Sequence, residues 1–290
     1  SEVGAGMSFL SKTFRYVNEL GQEIVFDYAH GYLISLPSGV DTLSVNVNTA
    51  QGIGQVGATV QSKSIQPRPI TINGKVVGDN AQELKDALMT VIRPDLSGTL
   101  YAGDWHIAVA VTASPAIGTA PFGAPFQIGL TAPYPYWGSA ESKSSQLRGI
   151  EKKFRFPWNM SKKYQFGAIM VLQYIVLQNF GQFDVPYTLT ITCLGETAKN
   201  VGVENMETGE FLRLEKTLVK DERVTIEVTH DRTYVTSSVD GDCRGALTLE
   251  SNLFRIHTGG NAWKPTADEG LANVEMAVKF AEESAGVTVT

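Results

Sequence analysis

Near the middle of the chain a strict two-residue alternation, Phe126-Gln127-Ile128-Gly129-Leu130, runs into the proline–aromatic sequence Ala132-Pro133-Tyr134-Pro135-Tyr136-Trp137. The alternation predicts a strand with one buried face. Each proline lacks an N–H and fixes φ, so the ladder must stop there. The three rings carry too much apolar area to stand in water without a partner. The segment therefore predicts the last strand of one packed unit, closed by a stiff corner that docks onto something. It lies close to the midpoint of 290 residues, a length above what one hydrophobic core usually organises. Two domains are expected, over residues 7–140 and 141–290, with Tyr134, Tyr136 and Trp137 at their junction.

Hydrophobic residues make up 43% of the chain and charged ones 19%, an ordinary globular balance. A net charge of −6 argues against duplex nucleic acid as a ligand, which needs a basic face. The exception is the basic run Lys143, Arg148, Lys152, Lys153, Arg155, Lys162 and Lys163, which reads as a solvated connector. The longest apolar stretch, residues 166–177, is interrupted by Gln173 and falls short of the roughly 20 residues of a spanning helix. No membrane association is expected. The residues before Met7 have neither the basic nor the apolar region of a targeting peptide. Cys193 and Cys243 make no disulfide framework; they pair if neighbouring strands bring them together and otherwise stay as buried thiols.

The first half is strand-rich. Phe14-Arg15-Tyr16-Val17 and Glu23-Ile24-Val25-Phe26 predict a hairpin with a loop closed by Gly21. Ile70-Thr71-Ile72 and Lys75-Val76-Val77 predict a second hairpin, turned at Asn73-Gly74. One helix is expected, capped by Asn80 with Glu83 at the capping-box position. Its inner face is Leu84, Ala87, Leu88, Val91 and Ile92, and Pro94 ends it. A strand over residues 106–111 precedes a Gly/Pro/Ala-rich loop over 112–125. The second half is almost wholly β. Residues 169–172 fit a buried strand or, alternatively, a helix; strands follow near 188–192, 201–203, 211–214, 224–228, 234–239, 247–249 and 274–280. Short strands with regularly spaced turns predict a two-sheet sandwich.

Candidate chemistry is sparse. Gly52-Ile53-Gly54-Gln55-Val56-Gly57 spells the dinucleotide fingerprint, but no helical period follows over residues 58–65, so it reads as a flexible loop. His30, His106, His230 and His257 show no metal-ligand spacing, and no cofactor or metal is expected. His230-Asp231 and Asp104-Trp105-His106 could each supply a base with an orienting carboxylate; strand-end turns explain them equally. Asp240-Gly241-Asp242 lacks the downstream ligands of a calcium loop and reads as a hairpin turn. Trp158 and Trp263 are either sugar platforms or core residues. No catalytic residue is assigned, and no enzyme is expected.

In order along the chain, these pieces resemble the distal tail protein family of long-tailed, non-contractile phages. The resemblance rests on Phe14-x-Tyr16-x-Asn18-x-x-Gly21 with Gly31-Tyr32, Gly52 to Gly57, Arg68-Pro69-Ile70-Thr71-Ile72-x-Gly74 with Gly78, and the corner ending at Trp137. In the second half it rests on Asn179-x-Gly181, Pro186, Asn205-x-x-Thr208-Gly209-Glu210 and Gly259-Gly260-Asn261. It implies a mainly β fold: an N-terminal sheet or split barrel with one helix, then a galectin-like β-sandwich. It further implies a homohexameric ring at the virion tail tip, assembled in the host cytoplasm. The ring would join the tail tube protein to a tail-associated or receptor-binding protein, and DNA would pass through without specific binding. The sequence lacks the His-x-Asn-Pro-Arg cluster of sugar-binding galectins. A carbohydrate-binding module for host cell-wall glycans is the alternative expectation.

Overall fold

The computed structural model describes residues 13–119, 123–146, 148–151, 168–171 and 174–288. The chain divides into two compact units, Ser1–Ala140 with Ser284–Thr290, and Glu141–Glu283.

The first unit contains β1 (Phe14–Asn18), β2 (Glu23–Phe26), β3 (Tyr32–Ile34), β4 (Val45–Ala50), β5 (Thr59–Ile65) and β6 (Arg68–Val76). Then come α1 (Ala81–Val91), β7 (Ser97–Ala102), β8 (Trp105–Ile117), β9 (Ala124–Ala132) and the start of β10 (Trp137–Gln146). Its main sheet runs β2-β1-β7-β8-β9-β6-β3, antiparallel at every step. Alternation sorts the faces as the period predicts: Phe14 and Tyr16, Ile70 and Ile72, and Ile128 and Leu130 all turn into one core. Helix α1 closes that core with Leu88 and Val91, while Leu84 and Ala87 pack at its margin. Asn80 makes no side-chain cap bond. Its backbone, at φ −93° and ψ 28°, is not in the extended conformation from which a capping side chain folds back.

Two expectations are corrected here. Residues 68–76 form one unbroken strand, not a hairpin, and Asn73-Gly74 lies inside it between β9 and β3. Glycine is needed there for space: an added Cβ would lie 2.6 Å from Phe126 Cζ and 2.7 Å from the Leu33 carbonyl. The expected loop over 112–125 is mostly strand, since β8 runs to Ile117 and β9 starts at Ala124. Register shifts between Val111 and Ala116 absorb the irregular sequence around Pro115.

The second unit has a backbone pair β11 (Arg148–Glu151) and β12 (Ala168–Val171), so the strand reading holds over 168–171. It continues with β13 (Ile175–Asn179), β14 (Tyr187–Cys193), β15 (Thr197–Lys199), β16 (Gly202–Asn205), β17 (Phe211–Arg213) and β18 (Thr217–Val219). The last strands are β19 (Arg223–Val228), β20 (Thr233–Ser237), β21 (Gly241–Asp242), β22 (Gly259–Thr266) and β23 (Val274–Ser284). One sheet contains β23-β14-β19-β20-β21 and the other is β13-β22-β16-β17. Leu189, Ile191, Ile226 and Val278 of the first meet Leu177, Val203, Leu212 and Trp263 of the second in a single core. This is a β-sandwich. Residues 247–249, expected as a strand, contribute only an isolated bridge from Leu247 to Leu214.

The end of the chain departs from the expected boundary. Val287 is buried in the first unit's core, and its N–H donates to the Val40 carbonyl at 3.1 Å. The closing residues therefore group with the first unit and not with the sandwich.

Candidate functional site

The proline–aromatic corner is built around a buried arginine. Arg68, at the start of β6, falls on the same inward parity as Ile70 and Ile72 and is 2% exposed. Its Nε donates to Pro135 O at 2.7 Å, and its Nη1 to Gly39 O at 2.8 Å and Val40 O at 3.0 Å. Nη2 donates to the Ala285 carbonyl. Burial pulls the guanidinium below its ordinary pKa, and nearby Asp41 opposes that shift. Trp137 is fully buried in the same core, with Nε1 donating to Val40 O at 3.0 Å. The Val40 carbonyl thus gathers Arg68, Trp137 and Val287. Tyr134 and Tyr136 stand half-buried and edge-to-face, 5.2 Å apart. Trp137 is accordingly a core residue of the first unit in its own right.

A second feature lies between β3 and β6. Strands β4 and β5 form a two-stranded sheet of their own, and every residue in both is exposed. Register places Val45 opposite Ile65, Val47 opposite Lys63, and Thr49 opposite Val60 beyond a bulge, so this face is mostly apolar with Lys63 in its middle. The other face is polar: Asn46 opposes Ser64, and Asn48 donates to Ser62 Oγ at 2.9 Å. The hairpin is amphipathic, with its apolar face uncovered. Gly52 to Gly57 make its tip, which holds Ile53 and Val56 in solvent, so the fingerprint glycines precede a strand and not a helix.

The histidines take separate partners. His30 Nδ1 meets Asp27 at 2.6 Å, and His230 Nε2 meets Glu283 at 2.8 Å, not the adjacent Asp231. Half-buried His106 lies against the Tyr101 ring at 6.0 Å, and burial lowers its pKa. His257 is bracketed: Nδ1 is 2.9 Å from Asp184 Oδ2 and Nε2 is 3.2 Å from Glu210 Oε2. Ionised carboxylates only accept, so both bonds require the imidazolium. The Asp184 hydrogen bond raises the pKa first, burial opposes it, and Glu210 adds to the rise. Among the described residues no group of His, Cys, Asp or Glu converges as a metal set.

The remaining candidates disperse. Trp263 is fully buried and packs edge-on against Tyr187 at 4.9 Å and Phe254 at 5.1 Å, so neither ring face is open to a sugar. Trp158 lies outside the described residues, as do Lys152, Lys153, Arg155, Lys162 and Lys163. Lys143 is engaged, pairing with Glu282 and sitting 4.4 Å over the Phe180 ring. Cys193 is a buried free thiol and Cys243 a half-buried one. Asp240 pairs with Lys216 at a turn where Gly241 has φ 74°.

The sequence reading missed three features. For Arg68 the signal was a charge at a core parity position. For the hairpin it was the alternation Val45-Asn46-Val47-Asn48. Asp184, Glu210 and His257 are too far apart in sequence to have left one.

Residues 180–283 match the family model described as siphovirus-type tail component, C-terminal domain. Among solved structures, the chain is similar to the Dit protein of phage SPP1, titled a paradigm of hub adsorption apparatus in Gram-positive infecting phages. Identity is 13%, coverage is 93% of this chain and 98% of that one, and the TM-score is 0.66. It is also similar to a chain of the phage P2 baseplate in its activated conformation with Ca, at 13% identity, 95% and 99% coverage and a TM-score of 0.52. The same baseplate with Sr gives 13% identity, the same coverages and a TM-score of 0.50. No curated protein sequence matches the chain. The fold is thus similar to that of Dit over nearly the whole chain, and residues 180–283 match the model of the tail component's C-terminal domain.

Proposed function

We propose that this Dit-like chain is a non-enzymatic hub of a phage tail tip, whose first unit closes with copies of itself into a six-membered ring. The observation that carries the reading is the amphipathic β4–β5 hairpin. An isolated two-stranded hairpin is marginal in water, and exposed strand edges invite pairing. Val45, Val47, Val60 and Ile65 give this one a largely apolar face, interrupted by Lys63, that a neighbouring subunit would cover. A hairpin on one flank engaging a different surface of the next copy makes a heterologous contact, the kind that generates rings when the rotation closes. One ring face would take the tail tube protein and the other a tail-associated or receptor-binding protein; the fold's likeness to a hub protein and a baseplate chain supports this reading. A net charge of −6 suits a channel that releases DNA, since a basic lining would hold it. The working location is the virion tail tip.

Sedimentation velocity tests the reading. The full chain is expected to sediment as a hexamer at tens of micromolar, and a variant with residues 45–65 replaced by a short Gly-Ser link as a folded monomer. An intact chain that stays monomeric alone and with a tail tube protein, or a hexamer indifferent to losing the hairpin, would refute it.

A further inference from the structure

We infer that the outer face of the sandwich sheet β23-β14-β19-β20 is a binding groove for an uncharged oligosaccharide. Register sets one row across four strands: Lys279 opposes Thr188, Thr188 opposes Glu227, and Glu227 opposes Tyr234. Partners in register share a face, and the burial alternation turns this row away from the core. At about 4.8 Å per strand the row spans roughly 14 Å, enough for a disaccharide. Around Thr188, Glu227 and Lys279 the surface sinks into a groove of about 380 Å³, with Ser142, Thr229 and His230 also on its wall.

The chemistry of the face selects the ligand. Thr190, Thr225 and Thr236 form the next row, and Thr192 lies in the row beyond, so hydroxyls dominate. On these four strands Lys279 and Arg223 balance Glu227 and Glu275, and Asp242 of β21, opposite Thr236, adds one negative charge, so nothing concentrates an anionic polymer. Among the described residues the side chains of Thr188, Glu227 and Lys279 bond to no other protein group, leaving donors and acceptors for hydroxyls. Tyr234, 49% exposed at the end of the row, supplies a ring on which a sugar's apolar face can lie. Trp263, on the opposite sheet, is buried and plays no part. The inference stands whether or not the chain forms a ring.

Saturation-transfer NMR on the full chain with cellobiose, lactose and N,N′-diacetylchitobiose, each at millimolar concentration, tests it. Transfer to at least one of them is expected. Tyr234→Ala and Glu227→Gln should each weaken that sugar's affinity at least tenfold. Tyr174→Ala, an exposed ring outside the groove, should leave it unchanged. No transfer from any of the three sugars, or transfer insensitive to Tyr234→Ala and Glu227→Gln in variants with wild-type circular dichroism, overturns the inference. Sedimentation of the same samples reads the ring separately.

Discussion

Arg68 has a core position and a charge, and the carbonyls of Gly39, Val40, Pro135 and Ala285 reconcile the two. Removing the guanidinium takes its donor from the buried Pro135 carbonyl and from the part-buried Gly39 and Ala285 carbonyls, while Val40 keeps Trp137 and Val287. A buried acceptor left unpaired costs about 1–3 kcal/mol. Arg68→Met is expected to destabilise the protein by ~3 kcal/mol or more in urea unfolding. Trp137→Ala should cost about 3–5 kcal/mol, the range for a large ring lost from a core. A change within about 0.5 kcal/mol, the surface value, would contradict its burial. His257 sets a pH dependence. Its folded pKa is raised by Asp184 and Glu210, so its contribution is fully present below about 6.5, the unfolded value, and is lost as pH rises through the folded pKa. The melting temperature should fall across that window. Glu210→Gln should lower the His257 pKa in an NMR titration; an unchanged value would show that the carboxylate does not hold the imidazolium.

At the scale of elements, period-two alternation identified strands such as β1, β9, β14 and β23, because burial of one face imposes that period directly. It did not flag β7, β13 or β22, whose burial also alternates. The 3.6-residue period likewise located α1. Asn73-Gly74 misled because a glycine forced by the Phe126 ring spells the same dipeptide as a turn. Gly74→Ala therefore tests packing: it should cost about 1–3 kcal/mol through overpacking against Phe126 and Leu33. A neutral result in denaturant titration would contradict the close approach. The β4–β5 hairpin was hidden for the opposite reason. Its glycine-rich tip drew attention to nucleotide chemistry, while its short alternating flanks are what a hairpin needs.

At the scale of the whole molecule, the proline–aromatic corner marks where β9 stops, and the boundary between the two units follows at Ala140, inside β10. That Ser284–Thr290 group with the first unit was not legible, because it depends on Val287 and the Ala285 carbonyl meeting partners far away in sequence. Deleting residues 285–290 should lower the melting temperature of the first unit, since it strips Val287 from the core and an acceptor from Arg68. The His257 cluster was hidden likewise, being assembled only by folding. Ring formation is a property of surfaces, and here the uncovered apolar face of the hairpin is the feature that calls for a neighbour. Electron micrographs of the purified chain, sorted into class averages, test that most directly. Closed six-fold rings are predicted. Single subunits throughout, open filaments, or rings of another order would contradict it.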